Sequence, residues 1–351
     1  MPSPAEATRR YLALARAVLR ARRAAYDPFK LTWILTEACS CHCKTCHLWV
    51  GDADPGPELA TIERVVAANP HLTWLNLSGG DFVERPDAPR ILDTVTHGFP
   101  DLALLDFPTA GLDTEATLAA LEPALDSDVP RIYVTVSLDG PDEVHDRIRG
   151  RRGAAQAARR TLRRLQSIRR KGFTAVAGMT LSRHNLPDTP AADPLDLLPE
   201  DLPLDALHLN LAHHSEHYYR NSPDVTPPRE SALHLLDTVR RGQRVGFGPL
   251  ALMERRYWTL ARQYLERGRI DGSCGALRAS VFLGSDLTVH PCTLFDRPLG
   301  NLADIGYALR RIPELTEAAG ALAEVEAQAC PGCWSPCEAF PTLLVGLGRP
   351  L

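Results

Sequence analysis

Apolar and polar positions along this chain switch repeatedly between two spacings, and the switching predicts an α/β protein. Short apolar or β-branched runs at 31–36, 73–77, 102–107, 131–137, 174–181 and 207–211 read as six buried strands. Segments at 61–68, 88–95, 113–125 and 154–171 have helical spacing, with apolar residues three and four apart. An amphipathic helix precedes the first strand; Arg16 interrupts its apolar run at 11–19 and Arg20 ends it. Strands alternating with helices imply a parallel sheet with right-handed crossovers. Six such units are too few to close an eight-stranded barrel, so the expectation is a partial (β/α)6 barrel.

Helices at 230–242 and 249–268 follow. A small β-hairpin comes next, 281–283 and 288–290 about a Gly284-Ser285-Asp286 turn, with helices at 314–329 and 338–345 behind it. The expected division is an N-terminal helix (1–30), the barrel (31–225), linking helices (226–270) and a hairpin/helix extension (271–351).

Composition narrows the class. Hydrophobic residues make up 44% and charged residues 23%, the balance of a soluble globular protein. No apolar run reaches the roughly 18–20 residues needed to cross a bilayer, and no signal peptide opens the chain, so a cytoplasmic protein without a membrane partner is expected. A net charge of −4 gives no global attraction to nucleic acid. The basic run at 147–171 falls on helical spacing with Leu162, Leu165 and Ile168 opposite, as a solvated helix face does.

Cysteine placement adds the chemistry. Of nine cysteines, four lie at 39–46, none between 47 and 273, and five at 274–337. Two tight groups flanking a cysteine-free body look like two metal sites rather than disulfides. The first group, Cys39, Cys43 and Cys46, has C-x3-C-x2-C spacing on the loop after strand one. Three thiolates there suit three irons of a [4Fe–4S] cube and leave one iron open. Structural zinc is the alternative, with Cys41, His42 or His47 as fourth ligand.

Other notable residues also fall at C-terminal strand ends, where α/β sheets hold their chemistry. Ser78-Gly79-Gly80-Asp81 follows strand two, Thr109-Ala110-Gly111 strand three, and Ser137-Leu138-Asp139-Gly140 ends strand four. His213-His214-Ser215-Glu216-His217-Tyr218-Tyr219 follows strand six and concentrates acid/base groups; His214, Glu216 and Tyr218 are the catalytic candidates. A plain polar loop is the other reading of that segment.

On these motifs the chain resembles the radical S-adenosylmethionine superfamily over about 31–337. The resemblance implies that the first three cysteines hold a [4Fe–4S] cluster whose open iron takes S-adenosylmethionine. Ser78, Gly79, Gly80 and Asp81 stand where the family has its Gly-Gly-Glu segment; Asp81 is a shorter carboxylate than the family's Glu. Ser137, Asp139 and Arg149, with His145-Asp146, resemble the family's fourth-strand segment lining the cofactor. Thr180–Asn185 is similar to the segment after its fifth strand, and Trp49 stands where an aromatic touches adenine. The implied chemistry is one-electron cleavage of the sulfonium to a 5′-deoxyadenosyl radical, which removes a hydrogen atom from a substrate.

Cys274, Cys292, Cys330 and Cys333 resemble the Twitch/SPASM extension of such enzymes, which implies one auxiliary [4Fe–4S] cluster. Cys337 is spare or exchanges with Cys330 or Cys333, and a four-thiolate zinc knot is the alternative. An auxiliary cluster suggests oxidation or bond formation on a small biosynthetic metabolite, with an external donor such as flavodoxin or ferredoxin. Only about 30 residues precede strand one, which favours that class over a peptide maturase unless a separate partner binds the leader peptide. A non-catalytic iron–sulfur or zinc protein is the reading of another class.

Overall fold

The computed structural model describes residues 3–244 and 249–346. Six strands, β1 (Lys30–Ile34), β2 (Trp74–Ser78), β3 (Leu104–Thr109), β4 (Arg131–Ser137), β5 (Phe173–Leu181) and β6 (Leu207–Leu211), pair in parallel in sequence order. Helices α2 (Leu59–Ala68), α3 (Ala88–Gly98), α4 (Thr114–Asp126) and α6 (Ala154–Gln166) form the crossovers. Their buried stripes (Ile62 and Val65, Ile91 and Val95, Leu121, Leu162 and Leu165) pack against one sheet face through Leu31, Trp33, Leu75 and Val134. The sheet is open, with β6 at one end of the strand order. The partial barrel expected from the hydrophobic pattern is therefore the fold.

The hairpin does not stand apart. β7 (Ser280–Leu283) pairs in parallel with β1, and β8 (Thr288–His290) and β9 (Gly300–Asn301) continue antiparallel, giving one nine-stranded sheet ordered 6-5-4-3-2-1-7-8-9. Without β7, β1 would present an unpaired edge. All four β7 residues are buried, as burial on both faces requires.

The other sheet face carries Lys30, Asn76, Asp106 and His208 and is covered by α8 (Pro249–Arg267), which follows α7 (Arg229–Gly242), and by α10 (Pro336–Gly346). His208 lies against Tyr257 and Phe340, Lys30 Nζ donates to the Cys337 carbonyl, and Ser280 bonds Glu338. The N-terminal helix α1 (Pro4–Ala21) is present with Ser3 as N-cap, and buries Ala17, Val18 and Ala21 against Phe29, Trp74 and Ala279. No described helix is long and apolar enough to cross a membrane.

Three local departures have simple causes. Helix α5 (Asp142–Arg149) went unread because it is only eight residues long and buries just His145 and Ile148. The helix expected at 314–329 is shorter: α9 spans Ala318–Glu326, behind a 3₁₀ stretch Leu309–Glu314 containing Pro313, which interrupts α-helical bonding. Strand β3 runs through Pro108 because its pairing with β2 stops at Asp106, so the missing N–H breaks no bond on that side.

Asn69, fully buried at the end of α2, ties the barrel to the extension. Its Nδ2 donates to the carbonyls of Val65 and Tyr307, each at 2.7 Å, and its Oδ1 accepts from Leu309 N–H at 2.8 Å. Asn69→Ala leaves those buried groups unpaired and should lower stability by about 2–3 kcal/mol in chemical denaturation. A loss below about 0.5 kcal/mol would show that the link carries little.

Candidate functional site

The loop after β1 is held by backbone bonds from neighbouring loops and the end of α5, together with side-chain bonds such as Ser40 N–H to Glu84 and Arg151 to the Ser40 carbonyl. Gly80 N–H donates to the Thr36 carbonyl (2.8 Å) and Asp81 N–H to that of Ala38 (3.1 Å). His42 and Lys44 N–H donate to the carbonyls of Arg149 and Ile148 (both 2.9 Å), and His47 N–H to that of Tyr219 (2.7 Å). Asn221 Nδ2 reaches the Thr45 carbonyl at 2.8 Å. Loops from β2, β4 and β6 thus converge on this one bend.

The glycines are explained by that convergence. A Cβ on Gly80 would sit 2.0 Å from the Ala38 carbonyl oxygen, and one on Gly79 (φ +135°) 2.2 Å from that of Thr36. Their first task is to let the cysteine loop approach, rather than to admit a ligand directly.

Cys39, Cys43 and Cys46 come together beside Ala110, and Cys41 lies buried among them. Cys41 N–H donates to Cys39 Sγ (3.4 Å), and the close packing of the thiols pushes Cys41 up and Cys43 down. The Arg149 guanidinium, 3.8 Å from Cys43 Sγ, adds to that lowering. Burial pushes Cys46 up to about 12. Four thiols share the bend, so Cys41 is the one group here that the C-x3-C-x2-C spacing does not use.

Asp139 has no free oxygen for a ligand. Oδ2 takes Arg149 at 2.7 and 2.8 Å, Oδ1 accepts from Thr180 N–H at 3.0 Å, and its N–H donates to His145 Nδ1. Asn185 Nδ2 bridges the carbonyls of Asp139 and Thr180. Asp139 therefore aims Arg149 at Cys43. Asn185 and His145 complete this support, and their only sequence signal was membership of the two motif segments. Ser137, half-buried at the end of β4, is opposite Gly178.

Asp81 differs. Its Oδ2 accepts from Thr109 Oγ1 (2.9 Å) and Ala110 N–H (2.8 Å), but Oδ1 is buried without a partner. Burial raises this carboxyl to about 7. An unpaired buried carboxylate oxygen beside the thiols suits an ammonium group, as on an amino-acid ligand.

Of the strand-six candidates, Tyr218 is built into the site: its hydroxyl is 2.6 Å from Ser78 Oγ, and burial pushes it up. His214 is half-buried and Glu216 is exposed. Trp49 stacks on His42 (4.7 Å between centroids), and its indole N–H donates to the Cys46 carbonyl at 2.9 Å.

The hairpin brings the second cysteines together, with Cys274 ahead of β7 and Cys292 behind β8. Cys274, Cys292, Cys330 and Cys333 line one cavity of about 230 Å³. Burial pushes the Cys292 thiol well up in the ligand-free protein, opposed by the N–H bonds its Sγ accepts from Leu294 (3.5 Å) and Phe295 (3.3 Å). Four thiols lining one cavity match in number the ligands of a fully ligated metal centre. Cys337 is not among the lining residues; burial pushes it up, and its charged neighbours are Lys30, Glu338 and Asp106.

No protein-family profile matches the chain. It is 32% identical over 170 residues to the mycofactocin maturase MftC of Mycobacterium ulcerans, covering 45% of this chain and 42% of that protein. It is 27% identical over 224 residues to the Fe-coproporphyrin III synthase of Methanosarcina barkeri, covering 62% and 53%. The chain thus spans about half the length of these curated relatives. A solved structure, native anSMEcpe with bound AdoMet, superposes with a TM-score of 0.53 at 13% identity over 91% of this chain and 97% of that one, a likeness of fold. Fold and cysteine sites define a partial-barrel protein with a C-terminal cysteine-rich extension. In fold and in cysteine placement the chain resembles radical S-adenosylmethionine proteins of the SPASM/Twitch type.

Because Asp81 binds its proton more tightly folded (about 7) than unfolded (3.8), its own contribution to the stability of the ligand-free protein is fully present below about pH 4. That contribution should be lost as pH rises toward 7, by at most roughly 4 kcal/mol, and then level off. The stability difference between wild type and Asp81→Asn should therefore change with pH over that window in denaturation series. A difference that does not change with pH would refute the burial argument.

Proposed function

We propose that this chain is a radical S-adenosylmethionine enzyme with one auxiliary cluster. The observation that carries the reading is the gathering of three C-x3-C-x2-C thiols beside Ala110, whose N–H donates to Asp81, a buried carboxylate with its Oδ1 unpaired. Cys39, Cys43 and Cys46 would hold the first [4Fe–4S] cluster, and Cys274, Cys292, Cys330 and Cys333 the second. Bound there, the first cluster supplies one-electron cleavage of S-adenosylmethionine to a 5′-deoxyadenosyl radical that takes hydrogen from substrate.

The chain's own residues do the rest. Arg149, fixed by Asp139, offsets thiolate charge at Cys43. Asp81 receives the ammonium end of the cosubstrate, and Trp49 presents an aromatic face over the loop. Tyr218, on Ser78, is the proton-transfer candidate nearest the thiols; exposed Glu216 and half-buried His214 lie further out on its loop. An external one-electron donor such as flavodoxin or ferredoxin supplies the reductant. Placement in the cytoplasm is part of the same reading.

Oxidation or bond formation is the outcome that a second cluster supports, since it can accept an electron from a substrate radical. The name of the Fe-coproporphyrin III synthase supports a small biosynthetic metabolite as substrate. A second reading, peptide maturation with a separate leader-binding partner, is supported by the maturase names among the relatives, including the sporulation killing factor maturation protein SkfB of Bacillus subtilis.

Reduced, anaerobically reconstituted protein should release 5′-deoxyadenosine from S-adenosylmethionine. Cys43→Ala should lower that release at least 100-fold, roughly 3 kcal/mol in barrier. Cys292→Ala should leave it within a few-fold while reducing the iron content by about four per chain, the size of one cubane. Protein that holds zinc instead, or that cleaves nothing under several reductants, would be a binding protein and not this enzyme.

A further inference from the structure

Outside both cysteine sites, two imidazoles and a carboxylate face one another without a hydrogen bond between them. His217 lies in the loop after β6, His290 ends β8, and Asp296 follows the Cys292 segment. The two rings stack face to face, centroids 4.2 Å apart and 9° from parallel, and Phe282 meets both edge-on. Asp296 Oδ1 is 3.7 Å from His217 Nδ1 and 3.9 Å from His290 Nδ1, too far for hydrogen bonds. Both Nδ1 atoms are buried and have no partner.

The His217 tautomer follows from its opposite ring edge. His217 Nε2 is 3.0 Å from the Cys292 carbonyl, which can only accept, so the proton sits on Nε2. His217 Nδ1 therefore presents a lone pair toward the Asp296 carboxylate, and His290 Nδ1 is buried beside it without a partner. A lone pair, an unpartnered ring nitrogen and an anion within 4.8 Å of one another are satisfied together by a cation among them. An imidazole whose far N–H is fixed by a backbone carbonyl is the usual arrangement of a metal-ligating histidine.

We propose that His217, His290 and Asp296 form a third metal site, binding one divalent transition ion of the zinc or ferrous class. Imidazole and carboxylate together suit such borderline ions. With bonds of about 2.0–2.2 Å, the ligand–ligand edge of a tetrahedral site is about 3.4 Å. The Asp296 distances of 3.7 and 3.9 Å need only a small contraction, which half-exposed Asp296 can supply, and ion binding must tilt the two rings out of their stack so that their Nδ1 lone pairs, parallel in it, converge. Water would fill the remaining position. The ion would pin the β6 loop to the segment bearing Cys292 and so hold the barrel mouth against the second cysteine site.

The test uses full-length, anaerobically reconstituted protein washed with chelator and then equilibrated with Zn2+. Wild type should retain about one zinc per chain more than Asp296→Asn, with at least tenfold tighter binding, and His290→Gln should behave like Asp296→Asn. X-ray absorption of that extra zinc should show only nitrogen and oxygen neighbours near 2.0–2.1 Å, without sulfur near 2.3 Å. Asp296 is half-exposed, so its substitution should leave iron content unchanged and the comparison interpretable. Equal zinc in wild type and Asp296→Asn, or a sulfur shell on the extra zinc, overturns the site. Neither result depends on S-adenosylmethionine cleavage, so failure here is distinct from failure of the enzymatic reading.

Discussion

The structure depends on one close approach of backbone to backbone. The bend carrying the first cysteines lies directly against the turn after β2, with the Thr36 and Ala38 carbonyls accepting from Gly80 and Asp81. Side chains on Gly79 or Gly80 would occupy the space of those carbonyls. Once the bend is seated there, the α5 end and the β6 loop close on its remaining backbone groups, and all four thiols are gathered on one side. The same contact orients Asp81 with one oxygen bonded and the other unpaired, so loop placement and ligand geometry have a single cause.

Charge is arranged around that bend with equal economy. A guanidinium beside buried thiols is tolerable only because Asp139 is bonded to it twice and is itself held by Thr180 N–H and by Asn185 and His145 through its backbone. The acidic residue at the strand end thus serves a positioning role, and the cation reaches the cysteines. Asp81 is the opposite case, buried with an oxygen to spare. Two similar carboxylates at neighbouring strand ends are given different tasks by what surrounds them.

The extension and the barrel are one structure. β7 completes the pairing of β1, Asn69 bonds the 307–309 segment, and Lys30 and Ser280 bond α10, so the second cysteine cavity is fixed relative to the first by sheet hydrogen bonds. Cys337 lies on α10, yet it faces Lys30 and Asp106 rather than the four cavity thiols. Its closeness in sequence to Cys333 misleads, because Ser335 and Pro336 begin a new helix between them and turn its side chain to the other side.

The sequence by itself determined the α/β class, six parallel strands, the open barrel and the grouping of cysteines into two sites. Those features rest on local periodicity and on short spacings, which survive whatever the rest of the chain does. It also marked Asp81, Asp139 and Tyr218 at or just after strand ends, and Arg149 through a motif resemblance. Tertiary structure alone decided that the hairpin joins the main sheet, because edge pairing is a long-range choice with no local signature. It alone decided that Asp139 is consumed by Arg149, that Cys41 sits among the three spaced thiols, and that His217 meets His290 across 73 residues. Each of these depends on which groups become buried against which. Burial, unlike period, is a property of the folded whole.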